Sequence, residues 1–215
     1  MEPEMKYDLH IHSKYSSDGY LDPELLVKVA IKKGLSGVAV TDHNTLNGGL
    51  KAKEYETYDF KVIVGCEKNT DRGEVTGLFL CEEIKSNTFQ DVVEEIKDQN
   101  GLVILPHPFD ELRGNGLYPK KEDAELVDLV EVFNSRCLLQ RYNEKARKFA
   151  VENGLKFAAG SDAHFAGEIG KAGIITEGRN IRESLLKDEI VIYGEKSNLI
   201  NLGLTKMLKI WRKGI

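Results

Sequence analysis

Short apolar runs alternate with amphipathic segments along almost the whole chain. Runs such as Val38–Val40 and Leu102–Leu105 are apolar at every position, as in strands that are buried on both faces. Strands of this kind that alternate with helical segments predict a parallel α/β architecture, either a closed barrel or an open sheet. The predicted strands are Tyr7–His12, Gly37–Thr41, Lys61–Cys66, Glu74–Leu80, Leu102–Leu105, Leu129–Phe133, Lys156–Ala159, Gly173–Thr176 and Ile190–Tyr193.

Capping residues mark where the predicted helices begin and end. Asp22 is a favourable N-cap, Pro23 occupies the first helical position, and Gly34 follows the last turn. Thr88, with Asp91 three residues later, indicates a second helix start of the same kind. The predicted helices are Asp22–Lys33, Leu46–Tyr55, Thr88–Gln99, Leu138–Glu152 and Ile181–Lys187.

The organisation is that of one domain with a short appendage. No internal repeat or linker divides residues 1–195, so we expect a single barrel domain there. Residues 196–215 form an amphipathic tail, which we expect to pack on the barrel; a membrane or partner contact is the alternative. The segment Arg113–Lys121, rich in glycine, proline and charge, is predicted to be a long loop at the active site.

Composition and charge restrict the function classes. Of the 215 residues, 41% are hydrophobic and 30% are charged, which is typical of a soluble globular protein. The chain has no apolar run near the roughly 20 residues of a membrane span and begins without a signal-peptide pattern, so we expect a cytoplasmic protein. The net charge of -5 argues against a nonspecific nucleic-acid scaffold but is compatible with a small anionic substrate. The three cysteines, none in a C-x-x-C pair, predict buried free thiols.

All five histidines fall at or just after the end of a predicted strand. In parallel α/β folds these strand ends meet at one face, where functional sites are built. Three acids, Asp18, Glu67 and Asp162, lie at equivalent places. Imidazoles and carboxylates that converge are ligands for transition metals, so the sequence predicts a metal site at this face. The histidines are His10, His12, His43, His107 and His164.

Each of these residues also has an ordinary structural interpretation. A single histidine at a strand end is more often a hydrogen-bonded residue than a ligand, and Ser17-Asp18-Gly19 has the chemistry of a turn. Five histidines at one predicted face outweigh these interpretations. His10 and His12 share one face of a strand because they are two residues apart, and Asp162 and His164 do so too if their segment stays extended.

Taken in order, the motifs of this chain resemble those of the PHP superfamily (polymerase and histidinol phosphatase) over about residues 7–176. The matching motifs are His10-x-His12, Ser16-x-Asp18-Gly19, Thr41-Asp42-His43-Asn44-Thr45, Glu67, His107-Pro108, Glu131-Val-Phe-Asn134 and Gly160-Ser161-Asp162-Ala163-His164. The resemblance implies a distorted (β/α)7 barrel, similar to a TIM barrel, with the metal site at the C-terminal ends of the strands. It also implies two or three divalent ions, manganese, zinc or iron, and hydrolysis of phosphate esters.

The resemblance also implies which residues bind each ion. It places His10, His12, Glu67 and Asp162 on the first metal, and Asp18, His43 and His164 on a third. Glu67 would bridge to a second metal, which His107 also binds. The strand after Glu67 has no histidine, although many family members have one there, and Glu131 and Asn134 replace another. The second site is therefore short of ligands, and we expect two metal ions, with three as the alternative.

The predicted function is metal-dependent hydrolysis of a phosphate ester, by attack of metal-activated hydroxide on phosphorus. We expect Glu67, Asp162 and Arg136 to act in catalysis. Arg136 and Arg113 are predicted to bind the substrate phosphate, since a guanidinium forms two parallel hydrogen bonds to it. The expected substrate is a small phosphorylated metabolite or nucleotide, with no membrane partner and no nucleic acid beyond a short oligonucleotide. The alternatives are hydrolysis of a C–N or C–O bond, and a metal-binding regulatory domain without catalysis.

Overall fold

In the computed structural model, which describes residues 4–178, 180–187 and 189–213, nine strands form one sheet. They are β1 (Glu4–Ile11), β2 (Gly37–Val40), β3 (Lys61–Thr70), β4 (Gly73–Leu78), β5 (Leu102–Leu105), β6 (Leu129–Asn134), β7 (Lys156–Gly160), β8 (Ala172–Glu177) and β9 (Ile190–Gly194). Their order is β7-β6-β5-β4-β3-β2-β1-β8-β9. Just after β7 the chain returns to β1, where the backbone N–H of His12 donates to the carbonyl of Ala163 at 2.8 Å. The sheet is therefore a nearly closed barrel, which confirms the predicted fold class.

Strand directions are mixed rather than uniformly parallel. The pairs β1–β2, β2–β3, β5–β6 and β6–β7 are parallel, whereas β4 runs antiparallel to both of its neighbours. The strands β8 and β9 pair antiparallel with each other, and β8 pairs antiparallel with β1. The reversal at β4 follows from its connection, because the turn at Asp71 and Arg72 is too short for the crossover that parallel strands need.

Helices cover the outside of the barrel. The predicted caps are confirmed, since the side chain of Asp22 accepts from the backbone N–H of Glu24 at 3.0 Å and that of Thr88 from Asp91 at 3.3 Å. Among the described residues, no helix is both long and apolar enough to cross a bilayer. The helices are α1 (Pro23–Lys32), α2 (Asn47–Lys53), α3 (Phe89–Asp98), α4 (Gln140–Glu152), α5 (Ile181–Lys187) and α6 (Leu199–Lys213), with a 3₁₀ helix at Lys121–Glu125.

The tail therefore contains a helix, α6. Residues 214 and 215 lie outside the described part of the chain, as do the side chains of Leu199, Lys206, Lys209, Arg212 and Lys213. The hydroxyl of Thr205 on α6 accepts a hydrogen bond from Arg136, next to β6, at 2.7 Å. The division into a barrel at 1–195 and a separate tail stays a prediction.

Buried apolar side chains form three groups. One group, which includes Leu9, Ile63 and Ile104, draws on strands around the whole barrel and fills its interior. The other two lie between the sheet and the outer helices, one under α3 and α4 and the other under α1 and α2. Cys66 and Cys137 are buried free thiols as predicted, but Cys81 is exposed because it follows the end of β4.

Candidate metal centre

The eight predicted metal ligands meet at one end of the barrel, near the strand ends or, for Glu67, inside β3. Seven of them are buried, and the side chain of His43 is 12% exposed. They belong to segments that are distant in the sequence, so only the closed barrel brings them together. The eight are His10, His12, Asp18, His43, Glu67, His107, Asp162 and His164.

The first group of donor atoms surrounds one point. The Nε2 atoms of His10 and His12 lie 3.1 Å apart, and each lies 3.4 Å from Oε2 of Glu67. Oδ1 of Asp162 is 3.3 Å from Nε2 of His12. Nitrogen and oxygen ligands bind metals such as zinc at about 2.0–2.2 Å, so donors about 3–3.5 Å apart can share one cation. The donor set fits a divalent metal ion.

Hydrogen bonds from the other ring nitrogens fix how these imidazoles are oriented. Nδ1 of His10 donates to Oε1 of Glu131 at 3.0 Å, which leaves the Nε2 lone pair directed at the centre. Nδ1 of His164 donates to the carbonyl of Asp162 at 2.8 Å with the same effect. Burial and the neighbouring His164 lower the pKa of His12 to about 3, so His12 is neutral and able to bind a metal.

Glu67 lies between two groups of donors. Its Oε2 belongs to the first group, whereas its Oε1 is 2.9 Å from Nε2 of His107. Burial would raise the pKa of Glu67, but the charges of His10 and His43 hold it well below its ordinary value, so both oxygens are available as ligands. The backbone around Glu67 is fixed by hydrogen bonds to Asp42 and Asn44.

A third group is built around Asp18. One carboxylate oxygen, Oδ2, lies 3.4 Å from Nε2 of His43, and the other, Oδ1, lies 3.4 Å from Nε2 of His164. Ser16 donates to the same carboxylate at 3.1 Å. His12, Asp18, His43 and His164 offer donor atoms that all lie within 4.8 Å of one another.

Two of the predicted ligands, Asp162 and His107, have a left-handed backbone conformation. Asp162 has φ of 55° and His107 has φ of 27°, and neither is glycine. The condition under which Asp162 and His164 would share a face, an extended segment, is therefore not met. The two converge because the turn at Asp162 brings its carbonyl to the ring of His164. Such backbone costs on the order of 1–3 kcal/mol per residue, which is typical of functional sites.

The two predicted phosphate-binding arginines differ in their surroundings. Nη2 of Arg113 reaches the centre and donates to Oδ2 of Asp162 at 2.6 Å, and its Nε donates to Asp110 at 3.1 Å. The guanidinium of Arg136 is instead held by Glu168 through Nε at 3.0 Å and by Thr205 through Nη2 at 2.7 Å. Arg113 is thus the better placed of the two, and the phosphate role of either stays a prediction.

Three buried carboxylates near the centre were not assigned a role from the sequence. Glu131 orients His10, and its Oε2 also accepts from the backbone N–H of His107 at 2.7 Å. Glu168 accepts from the backbone N–H of His164 at 3.0 Å. Glu74 lies on β4, the strand on which many family members have a histidine that this chain lacks. A charged residue within an otherwise apolar strand is the signal that could have identified Glu74 and Glu131.

Among the described residues, two cavities of several hundred Å³ adjoin the centre. One, of about 400 Å³, is lined by Asp18, His43, Glu74, Arg113, Arg136 and His164 among others. The second, of about 690 Å³, shares His43 with the first and is lined mainly by polar residues, including three asparagines. The cavities give a substrate of moderate size access to the donor atoms.

The fold and the site define an α/β barrel with clusters of histidine, aspartate and glutamate that could hold metal ions. The chain belongs to the PHP domain family, which it matches over residues 8–187. It is 43% identical over 143 residues to an uncharacterised protein of Methanocaldococcus jannaschii, covering 61% of this chain and 82% of that protein. A second uncharacterised protein of the same organism is 36% identical over 211 residues, covering 95% and 83%.

Solved structures share the architecture. A two-domain protein from Bacteroides vulgatus that contains a predicted PHP-like metal-dependent phosphoesterase superimposes with a TM-score of 0.73 at 20% identity. The match covers 96% of this chain and 70% of that one. At this identity the likeness concerns the fold.

Proposed function

We propose that this protein is a metal-dependent hydrolase of phosphate esters that acts on a small phosphorylated metabolite or nucleotide. The observation that carries the proposal is the convergence of imidazole and carboxylate donors into adjacent groups that share Glu67. Neighbouring metal sites of this kind suit displacement at phosphorus, because the two oxygens that enter and leave both need charge stabilisation. Membership of the PHP domain family supports the same reaction class.

The residues present fit two or three divalent ions. His10, His12, Glu67 and Asp162 would hold the first, Glu67 and His107 the second, and Asp18, His43 and His164 the third. When bound, such ions would polarise the phosphate and lower the pKa of water to about 7. Glu67 would set the separation of the first two ions, because its two oxygens face different groups of donors.

Arg113 supplies the positive charge of the protein at the substrate. Its guanidinium lies at the wall of the 400 Å³ cavity and next to Asp162, where an oxygen of a bound phosphate would be in reach. The pairing with Asp110 and Asp162 orients the planar group in advance. We infer that Arg113 binds a non-bridging phosphate oxygen and that Arg136 contributes at most to the cavity wall.

Hydrolysis of a chromogenic phosphate monoester and the matching diester tests the proposal. Manganese-loaded protein is expected to hydrolyse at least one of them, and a chelator is expected to abolish the activity. The ratio of the two rates indicates the ester class. Absence of turnover with these esters and with a panel of sugar phosphates and nucleotides, while metal is bound, would contradict the proposal and favour a regulatory metal-binding domain. Turnover of amides or lactones alone would favour the C–N or C–O hydrolase.

A further inference from the structure

The second metal site lacks a ligand if only the family motifs are counted. Glu67 and His107 are two donors, and no histidine is present on β4. The first and third groups each have at least three donors. A cation held by two protein side chains would bind much more weakly than its neighbours.

Strand register places Glu74 beside this site. In the antiparallel pair β3–β4, Glu67 is directly opposite Thr76 and Asn69 is opposite Glu74. Residues opposite each other project to the same face, and so do residues two apart on one strand. Glu74 is therefore a diagonal neighbour of Glu67, on the face that carries the metal ligands.

The side-chain atoms of Glu74 confirm that it reaches the site. Its Oε2 is 3.8 Å from Nε2 of His107, and its Oε1 is 3.6 Å from Nδ1 of His43. The residue is only 5% exposed. In the described part of the chain, the hydrogen bonding of its carboxylate is limited to a 3.5 Å contact from Nδ2 of Asn115.

Buried carboxylates are normally paired with cations or with several hydrogen-bond donors. Glu74 and Glu67 are two buried acids with donor atoms within 4.8 Å of one another and of His43. Nδ1 of His43 has no hydrogen-bond partner in the described structure. These donor atoms lie close enough together for a bound cation to compensate the two carboxylates.

We propose that Glu74 is a ligand of the second metal ion, which it shares with Glu67 and His107, so that this chain replaces an imidazole ligand by a carboxylate. The inference rests on the proposed metal centre. The resulting site has two carboxylates and one imidazole, whereas the first has two of each. Carboxylate oxygens favour harder ions such as Mn²⁺, and imidazole suits Zn²⁺, so the second site is selective for manganese relative to the first.

Metal counting in full-length variants tests the proposal. Wild-type protein, Glu74→Gln, Glu74→His and the control Glu82→Gln, whose carboxylate is exposed beyond β4, would be stripped with chelator. Each would then be titrated with Mn²⁺ and separately with Zn²⁺ by calorimetry. Bound metal would be counted by elemental analysis, and folding checked by thermal denaturation.

We expect Glu74→Gln to lose one equivalent of Mn²⁺ or to bind it at least about tenfold more weakly, and Glu82→Gln to match wild type. Glu74→His is expected to retain the stoichiometry but to shift the preference of that site toward Zn²⁺. Unchanged manganese stoichiometry and affinity in folded Glu74→Gln would overturn the inference and leave the proposed function standing. Wild-type protein that binds no metal would overturn the proposed function itself.

Discussion

Arg136 and Glu168 form a buried ion pair that connects helix α6 to the loop carrying His164. Nε of Arg136 is 3.0 Å from Oε1 of Glu168, and both side chains are almost fully buried. Glu168 in turn accepts from the backbone N–H of His164, while Arg136 donates to Thr205 on α6. The pair thus holds a candidate metal ligand and the C-terminal helix in one network.

Replacement of Arg136 by alanine is expected to destabilise the protein. Glu168 would remain buried without its partner, and breaking a buried pair from one side costs about 3–5 kcal/mol. Chemical denaturation measures the loss of unfolding free energy. Lys148→Ala is the control, because its pair with Glu152 is exposed and contributes less than about 0.5 kcal/mol. An unchanged free energy of unfolding together with a raised KM would instead indicate that Arg136 binds the substrate phosphate.

Asp162→Asn is expected to lower kcat/KM more than about 100-fold, since even residues that only support a metal ligand contribute about 10- to 100-fold. Asparagine keeps the size of the side chain and tolerates the left-handed backbone at this position, so the circular dichroism spectrum should be unchanged. The measurement is steady-state hydrolysis with manganese at saturation. Full activity in this variant would contradict the assignment of Asp162 to the site.

Metal affinity is expected to rise with pH. Burial lowers the pKa of His43, but Glu67 and Asp18 outweigh it and raise the pKa to about 9. Without metal, His43 therefore carries a proton at neutral pH, and a metal ion must displace it. Between about pH 6 and pH 9, manganese affinity should increase by up to about tenfold per unit for each displaced proton. Calorimetry in two buffers of different ionisation enthalpy measures the released protons, and a pH-independent affinity would refute this assignment.

Arg113→Ala is expected to reduce kcat/KM for a phosphate ester by about 10- to 100-fold, the equivalent of a charged hydrogen bond of about 1.5–3 kcal/mol. Manganese stoichiometry should be retained, because Arg113 supplies no metal-binding atom. Steady-state kinetics with the chromogenic ester, together with metal counting, separate the two effects. Unchanged kinetics would exclude Arg113 from substrate binding.

The barrel, and the convergence of the predicted metal ligands at one end of it, could be predicted from sequence because both depend on local patterns. Apolar strands and capping residues such as Asp22 and Thr88 define the elements, and histidines at strand ends identify the functional face. The reversal of β4 relative to β3 follows from the short turn at Asp71 and Arg72, but its pairing with β5 could not be predicted from such patterns alone. The roles of Glu74 and Glu131 depend on that pairing and on side-chain direction, so they emerge only in three dimensions.

The surroundings of Arg136 could not be predicted for a related reason. Its position after β6 correctly predicts that it lies near the site face, but the sequence does not reveal that Glu168 and Thr205 approach it from later segments. A charged residue at a strand end can face the cavity or a neighbouring loop, and local sequence does not distinguish the two.

The return of the chain to β1 has a consequence for how the protein folds. The backbone N–H of Ser161, next to Asp162, donates to the side chain of Asp8, two residues before His10, across a sequence separation of 153 residues. The first group of donor atoms is therefore not assembled until the segment after β7 has reached β1, a slow, nonlocal event. A ligand that binds only the native state adds RT ln(1 + [L]/Kd) to its stability. Divalent metal would thus stabilise the closed barrel and raise its melting temperature. It would also suppress the local separation of β1 from the segment after β7, which hydrogen exchange detects.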